Sequence, residues 1–453
     1  MTVPFVRIVV LNYDGGDMTV RCLDALRTLT YPRDRYEVVL VDNASVDGLV
    51  EHLPASHPEV RLVESLVNTG FSGGCNLGIN APGPYDYVVL FNNDAVPEPG
   101  WLEPLVDALE SDAGLGAACS KMVLAGRFLG IGVRTTAAPP PGGRDDRDLG
   151  VRLSGVLVDG QPAWADAGYD EGFWPPEGGR AGEPGMRWSK ATGDVRVRVD
   201  TRATRPSTMA LRVSALTERS ATFDSGTGGE AVTVTLTPEP QWVSLRLPAD
   251  THDVINSAGS ALYAGGYGGD RGFLERDRGQ YEESVEVFSF CGGAVMLRPS
   301  YLQEVGLLDE RFFLYYEDTD LAWRGRQAGW RYRYVPASVV RHDHSATSGG
   351  ESSEVFRFHV ERNRLLLLAK NAPAPMAARA EVVELKVAWA TLRREVLAPV
   401  RHLHRPHPMI TKQKMRSLRS YAALLPAMLR DRRRLRRTRV VGHDDLSRWI
   451  LTK

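Results

Sequence analysis

The opening third of the chain alternates short apolar runs with stretches of helical spacing. Val6–Leu11, Tyr36–Val41, Val60–Val63 and Tyr85–Phe91 are too short for buried helices and read as strands. Val20–Leu29 and Trp101–Leu109 carry apolar residues at helical intervals, and Leu115–Met122 reads as a fifth strand. Such alternation predicts an α/β layer on a mostly parallel sheet. The pattern changes after the Pro/Gly stretch Pro139–Gly143. Asp194–Asp200, Ala210–Leu216, Ala231–Thr237 and Gln241–Leu247 alternate with period two, which predicts antiparallel strands with one buried face. Strand and helix return with Val285–Leu297, Pro299–Val305, Thr319–Ala328 (stopped by Gly329) and Tyr332–Val335, and beyond Phe356 the pattern is helical. The chain thus divides into an α/β half over 1–125, an inserted β-sandwich over 126–252, a second α/β half over 253–370 and a helical tail over 371–453.

A hydrophobic fraction of 43% and a charged fraction of 25% in 453 residues suit a folded protein with a sizeable core. The net charge of −1 conceals an asymmetry. From Arg379 onward 19 Lys and Arg face 6 Asp and Glu, so that segment carries +13 and the remainder −14. A basic tail of this kind points to an anionic partner. Cys22, Cys75, Cys119 and Cys291 lack metal-ligand spacing and read as reduced thiols of a cytoplasmic protein. No signal peptide is expected at the N-terminus. Leu365–Ala369 falls far short of the roughly 18 apolar residues a membrane span needs.

Three of the predicted strands run into polar clusters: Asn12-Tyr13-Asp14-Gly15, Asp42-Asn43-Ala44-Ser45 and Asn92-Asn93-Asp94. Ligands of open parallel sheets bind outside the carboxyl ends of the strands, so the clusters converge on one cleft. Each cluster alone also reads as ordinary turn chemistry. A nucleotide diphosphate is commonly held through a hard divalent cation on one or two carboxylates, a role that suits Asp94. Asn68-Thr69-Gly70-Phe71-Ser72-Gly73-Gly74-Cys75-Asn76 follows a strand and opens a helix, where backbone N–H groups could meet phosphate or ribose. Glu317, Asp318 and Asp320 open another helix behind the aromatic run Phe312–Tyr316. They read either as charges matched to the helix dipole or as partly desolvated carboxylates suited to general-base work. In Arg341-His342-Asp343-His344 one histidine could join Asp94 on a metal.

Together these motifs resemble the family 2 glycosyltransferases of the GT-A fold, rhamnosyltransferase-like members in particular, over about 1–125 and 253–370. Gly306-Leu307-Leu308-Asp309-Glu310-Arg311-Phe312-Phe313, Glu317–Arg324 and Ala328-Gly329-Trp330 complete the resemblance. It implies an inverting transferase that moves a sugar from a nucleotide-diphospho-sugar to a hydroxyl of a glycan or lipid-linked acceptor. The donor it favours is dTDP-rhamnose, with UDP-galactofuranose or another UDP-sugar next. It places Asp42 on the pyrimidine base, Asn92-Asn93-Asp94 where the family has its DXD motif, Asp94 on Mg2+ or Mn2+, and His342 as a further contact to the metal or the diphosphate. Asp318, with Glu317 beside it, would be the catalytic acid pair, Asp318 deprotonating the acceptor. Asn12, Asn43, Ser45, Asn68, Gly70, Phe71, Asn76, Asn92 and Asn93 would line the donor. The first acid of the DXD motif is Asn92 here, leaving one carboxylate fewer.

The inserted stretch carries Trp164, Tyr169, Phe173, Trp174, Trp188 and Trp242, which read either as sugar-stacking platforms of a carbohydrate-binding module or as the core of a small sandwich. In the tail, Arg379–Val400 and Ser417–Arg439 mix apolar and basic residues. They read either as an amphipathic segment on the anionic inner leaflet of the plasma membrane or as helices packed on the catalytic domain. Nucleic acid is not expected, since no recognised binding module accompanies the charge. A non-catalytic glycan-binding scaffold is the competing class, and it predicts lost carboxylates where Asp42, Asp94, Glu317 and Asp318 are kept.

Overall fold

The computed structural model describes residues 3–142, 145–178, 185–199, 205–343, 353–402 and 405–451. Gly143, Asp200 and His344, on which sequence readings fell, lie outside them. The chain forms two compact units, one of Met1–Met122, Ser257–Arg271 and Tyr281–Lys453, the other of Val123–Asn256 and Gly272–Gln280.

In the first unit four parallel strands lie in the order Tyr87–Asn92, Val6–Asn12, Tyr36–Asn43, Arg61–Ser65. The first three are largely apolar runs buried against helices such as Asp17–Leu26 and Glu103–Ser111, whose Leu23, Leu26, Leu105 and Leu109 share one core with Val6, Ile8, Val38 and Leu40, while Arg61–Ser65 is a partly exposed strand at the sheet edge. The expected mostly parallel sheet is in fact mixed. Ala294–Leu297 pairs antiparallel with Tyr87–Asn92 and with Leu115–Leu124, and Arg331–His342 continues the sheet beyond Leu115–Leu124.

Two readings of single strands need correction. Val285–Leu297 is not one strand but two, Val285–Glu286 and Ala294–Leu297, separated by a stretch that holds Cys291-Gly292-Gly293. The strand read as Tyr332–Val335 runs from Arg331 to His342, so His342 ends a strand rather than following one at a distance.

The helix Glu317–Ala328 begins on an unusual turn. Phe313, Tyr315 and Tyr316 have φ of 67°, 68° and 72°, a left-handed conformation that costs a bulky residue roughly 1 to 3 kcal/mol apiece. The turn is held from outside. Asn363, fully buried on the helix Glu354–Asn371, places its Nδ2 2.8 Å from Phe312 O, 2.8 Å from Leu314 O and 2.7 Å from Tyr315 O. Arg362 donates to Arg311 O and Phe312 O at 3.0 and 2.8 Å, and Ser72 N donates to Phe313 O at 3.2 Å. The two helices are locked further on by Lys370, which bridges Asp309 and Asp320 at 2.6 and 2.8 Å. Burial pushes the Asp309 carboxyl up, but the Arg311 hydrogen bond and the Lys370 ammonium outweigh it and hold the carboxyl well below its usual range.

In the second unit two sheets face each other. One contains Arg127–Thr135, Thr192–Val199, Arg219–Asp224 and Ala231–Leu236, the other Arg152–Val158, Thr208–Ser214 and Gln241–Arg246. Ile131, Val195 and Phe223 of the first share a core with Leu153, Leu211 and Leu245 of the second. Its aromatic residues divide. Phe173 and Trp188 are buried, and Tyr169 packs within 5.9 Å of Trp164 and 5.5 Å of Phe173, so these four serve the interior. Trp174 lies under Arg147 and Lys190, and Trp242 is half exposed.

Asn363→Ala removes the donor shared by three carbonyls of the left-handed turn. It should lower stability by about 2 kcal/mol, the cost of leaving buried acceptors unpaired, read as a fall in the urea midpoint. An unchanged midpoint would show that Arg362 and packing suffice to hold the turn.

Candidate functional site

Register sets the site. In the parallel ladder Asn12 stands opposite Asp42, and Leu11 opposite Asn92, so three polar strand ends emerge side by side. Asn12, wholly buried, joins them. Its Nδ2 donates to Asp42 Oδ1 at 3.2 Å and Ser45 Oγ at 2.9 Å. Its Oδ1 accepts from Gly15 N, Thr19 Oγ1 and Asn93 Nδ2 at 3.2, 2.7 and 3.3 Å. Only a residue without a side chain fits at Gly15, because an added Cβ would stand 2.1 Å from Asn93 Nδ2.

Asn43 does for the second strand what Asn12 does for the first. Its Nδ2 donates to Asn68 Oδ1 and Gly70 O at 3.0 and 3.1 Å, and its Oδ1 accepts from Thr69 N and Oγ1, each at 2.9 Å. This ties the start of the helix Gly70–Ile79 to the end of the strand Tyr36–Asn43. Gly70 has φ +72°, and a Cβ there would lie 2.4 Å from Phe313 O. The left-handed aromatic turn therefore seats directly on the glycine-rich helix start.

Asp94 and His342 meet for a local reason. Arg331–His342 pairs with the short strand Ala95–Pro97 with His342 opposite Ala95, and Asp343 N donates to Asp94 O at 2.9 Å. This brings His342 Nε2 to 3.0 Å from Asp94 Oδ1, both side chains more than nine-tenths buried, with Asn92 Nδ2 3.1 Å from the same nitrogen. Two adjacent ligands of an octahedral ion with bonds of about 2.1 Å lie about 3.0 Å apart, so the pair has the spacing a small divalent cation needs. A half-turn of the Asn92 amide would offer a third ligand. Among the described residues no three His, Cys, Asp or Glu side chains form a complete metal cage. A cation here would take its remaining ligands from water and from a bound phosphate, the usual manner of Mg2+.

Asp318 faces the same end of the sheet. Its Oδ2 accepts from Gly292 N at 3.0 Å and its Oδ1 from Thr319 N and Oγ1 at 2.5 and 3.1 Å. Burial raises its pKa, and these hydrogen bonds pull it back only in part. Gly292 lies between Phe71 and Asp318, since a Cβ on it would be 3.2 Å from the Phe71 ring and 3.6 Å from Asp318 Cβ. Next to it, a Cβ on Gly293 would be 3.1 Å from Asn92 Nδ2. The Gly292-Gly293 dipeptide thus joins the carboxylate of Asp318 to the Asn92, Asp94 and His342 group.

The structure brings together Asn12, Asp42, Ser45, Asn92, Asn93, Asp94 and His342, and separately Asn68, Gly70, Phe71 and Asp318 around the aromatic turn. Two sequence readings are corrected. Glu317 is only 5% exposed and its Oε2 has neither water access nor a hydrogen-bond partner. Burial, then the charges of Asp318 and Asp320, push its pKa well up, and its side chain is buried in the fold rather than open to the cleft. Asn76 does not line the cleft. Its amide clamps Leu308 O and N and Glu310 at 2.9, 3.2 and 3.1 Å, joining helix to loop inside the fold.

Three contributors escaped the sequence reading. Gly292 and Gly293 lay inside an apparently continuous strand. Asp270, between Ser257 Oγ and Ser260 Oγ at 2.7 and 2.9 Å, is pushed up to about 6 by burial; its serines lower it, Asp318 raises it and His342 lowers it. Its only signal was a lone acid after Tyr267-Gly268-Gly269.

Comparison with known proteins agrees with this geometry. Residues 7–127 match the family described as glycosyl transferase family 2. The chain is 29% identical over 105 residues to glycosyltransferase AglE of Haloferax volcanii, covering 22% of this chain and 34% of that one. It is 32% identical over 81 residues to the N-acetylglucosaminyl-diphospho-decaprenol L-rhamnosyltransferase of Mycobacterium tuberculosis, covering 18% of this chain and 26% of that one. The matched stretches thus span about a third and a quarter of these curated relatives. The solved structure of GalNAc-T7 with UDP, GalNAc and Mn2+ aligns at a TM-score of 0.43 and 12% identity over 82% of this chain and 51% of that chain, too loosely to carry an argument. The α/β layout with polar strand ends and the sequence match point the same way: over residues 7–127 the chain is similar to glycosyl transferase family 2.

Proposed function

We propose that the first unit transfers a sugar from a nucleotide-diphospho-sugar to an acceptor hydroxyl with inversion at the anomeric carbon. The observation that carries this reading is the Gly292-Gly293 link, which sets one desolvated carboxylate, Asp318, beside the Asp94–His342 pair. The donor sugar and its phosphates would lie between them. Asp42 and Ser45, at the far side of the cleft, are suited to the nucleoside.

A divalent cation on Asp94 and His342, Mg2+ or Mn2+, would neutralise charge on the departing diphosphate. The chain's own residues do the rest. Asp318, its pKa raised by burial, accepts the proton of the acceptor hydroxyl, and the oxygen attacks the anomeric carbon opposite the phosphate. Gly292 N and Thr319 fix the direction of the carboxylate, and Phe71 keeps one side of it dry. Holding acceptor and donor in line supplies much of the rate, and a single displacement inverts the centre.

The partial rhamnosyltransferase relative supports rhamnose as the sugar, and dTDP-rhamnose is the donor we favour, with UDP-galactofuranose or another UDP-sugar as the alternative. The same relative's name supports a lipid-linked acceptor, which would bring the chain to the inner leaflet of a membrane. Among the described residues no helix is long and apolar enough to cross one. The second unit's half-exposed Trp242 leaves room for a glycan contact in acceptor choice.

Asp318→Asn keeps the shape but cannot take a proton. Turnover at saturating donor should fall by about 10²- to 10⁴-fold with donor KM little changed. A collapse of donor binding with normal turnover would make Asp318 a binding residue. In the wild type, the active form is the deprotonated one, so kcat should rise with pH along a limb above the ordinary carboxylate range, and this limb should vanish in Asp318→Asn. Asp94→Ala should abolish stimulation by Mn2+ or Mg2+ while leaving the melting temperature near wild type. Full activity of that variant, or of the wild type in excess EDTA, would contradict the cation site.

A further inference from the structure

The helix Ala374–Leu392, continued through Arg393–Leu397 to Arg401, is packed inside out. Toward the protein it turns Ala377, Ala380, Glu384, Ala388 and Thr391, small or polar residues at intervals of three and four. Away from it stand Val382, Leu385 and Trp389, 50, 58 and 59% exposed, on the opposite face. A helix stabilised only by its own fold would bury its large apolar side chains, so a face of this kind marks contact with something else.

The neighbouring helix behaves in the ordinary way. Met409–Thr438 turns Leu418, Tyr421, Leu424, Leu425 and Met428 into the core it shares with Leu365–Leu368. Leu418, Leu424, Leu425 and Met428 of the second basic segment are therefore committed to packing, whereas Val382, Leu385 and Trp389 of the first are not.

Charge identifies the occupant. Arg379, Lys386 and Arg393, seven residues apart, share the face of Val382, Leu385 and Trp389, and with Arg394 and Arg401 they are exposed. The three acids of the segment are tied inward. Glu384 pairs with Arg364 and Lys414 at 3.0 and 2.9 Å, Glu395 accepts from Thr411 N and Oγ1 at 2.8 and 2.9 Å, and Glu381 accepts from Tyr421. Beside Thr411 a groove of about 340 Å³ has Met415 in its lining and Lys412, Arg416 and Arg419 at its sides.

We propose that this face of helix 374–401 lies in the interface of an anionic bilayer, with Leu385 and Trp389 among the acyl chains and the basic residues on lipid phosphates. An apolar stripe flanked by snorkelling Lys and Arg, with Trp at the boundary, is the composition such a position requires. A second copy of the chain would set one cationic face against another. The proposal is independent of the transfer reading, because no residue in it belongs to the strand-end site.

Co-sedimentation of the full chain with vesicles tests it. Vesicles of phosphatidylcholine with one third phosphatidylglycerol should retain the chain at least tenfold better than phosphatidylcholine alone, and retention should fall as salt is raised. Leu385→Ser with Trp389→Ser should weaken retention at least tenfold, as should Lys386→Glu with Arg393→Glu. Arg433→Glu with Arg434→Glu, of equal charge change on the packed helix, should have a clearly smaller effect. Unchanged melting temperatures establish that these surface variants fold, and the charge reversals serve if the apolar pair does not. Equal retention on neutral vesicles, wild-type retention of both face variants, or equal loss with Arg433→Glu and Arg434→Glu overturns the proposal. So does a dimer in solution that Leu385→Ser with Trp389→Ser dissociates while no vesicle binds.

Discussion

The left-handed turn Phe313–Tyr316 is the constraint on which the site depends. Three bulky aromatics in a conformation they disfavour must be held by more than their own packing, and Asn363 and Arg362 reach across from another helix to do so. What the turn gains is position. It starts the helix Glu317–Ala328 at the point where Asp318 receives the Gly292 N–H, and it rests on Gly70, which has no side chain to obstruct it. The same turn thereby couples the glycine-rich helix start, the Gly292-Gly293 link and the carboxylate.

Much of the polar lining is occupied with itself. Asn12, Asn43 and Asn93 are buried, and their amides are committed to neighbouring strand ends and loops. They hold the cleft in shape before any ligand arrives, which is the condition for electrostatic groups to act without reorganising. The charged and aromatic groups gathered at the same strand ends include the carboxylates of Asp42, Asp94 and Asp318, the imidazole of His342 and the ring of Phe71.

How far the sequence revealed this differs with the kind of signal. The first four strands and their polar ends were legible, because buried parallel strands are continuous apolar runs and the residues after them are turn formers. The register that levels Asn12 with Asp42 was not, since pairing is a property of the sheet. The direction of the later strands was missed because an antiparallel strand buried on both faces has the same composition as a parallel one. Gly292 and Gly293 were hidden between apolar neighbours that made two short strands look like one. Glu317 and Asp318 are adjacent acids in sequence, and only helix geometry separates the sealed one from the one at the cleft. Asn363 could not be found, because a single asparagine inside an apolar helix gives no sign of the carbonyls it will meet.

The central claim is that one desolvated carboxylate and one Asp–His pair act together on a nucleotide-diphospho-sugar. Release of nucleoside diphosphate from a panel of dTDP- and UDP-sugars, followed with the wild-type chain in Mn2+, in Mg2+ and in EDTA, tests it most directly. The account predicts slow release from one class of donor, present with either cation and absent in EDTA. Release from no donor in the panel, or the same release in EDTA as in Mn2+, would contradict it.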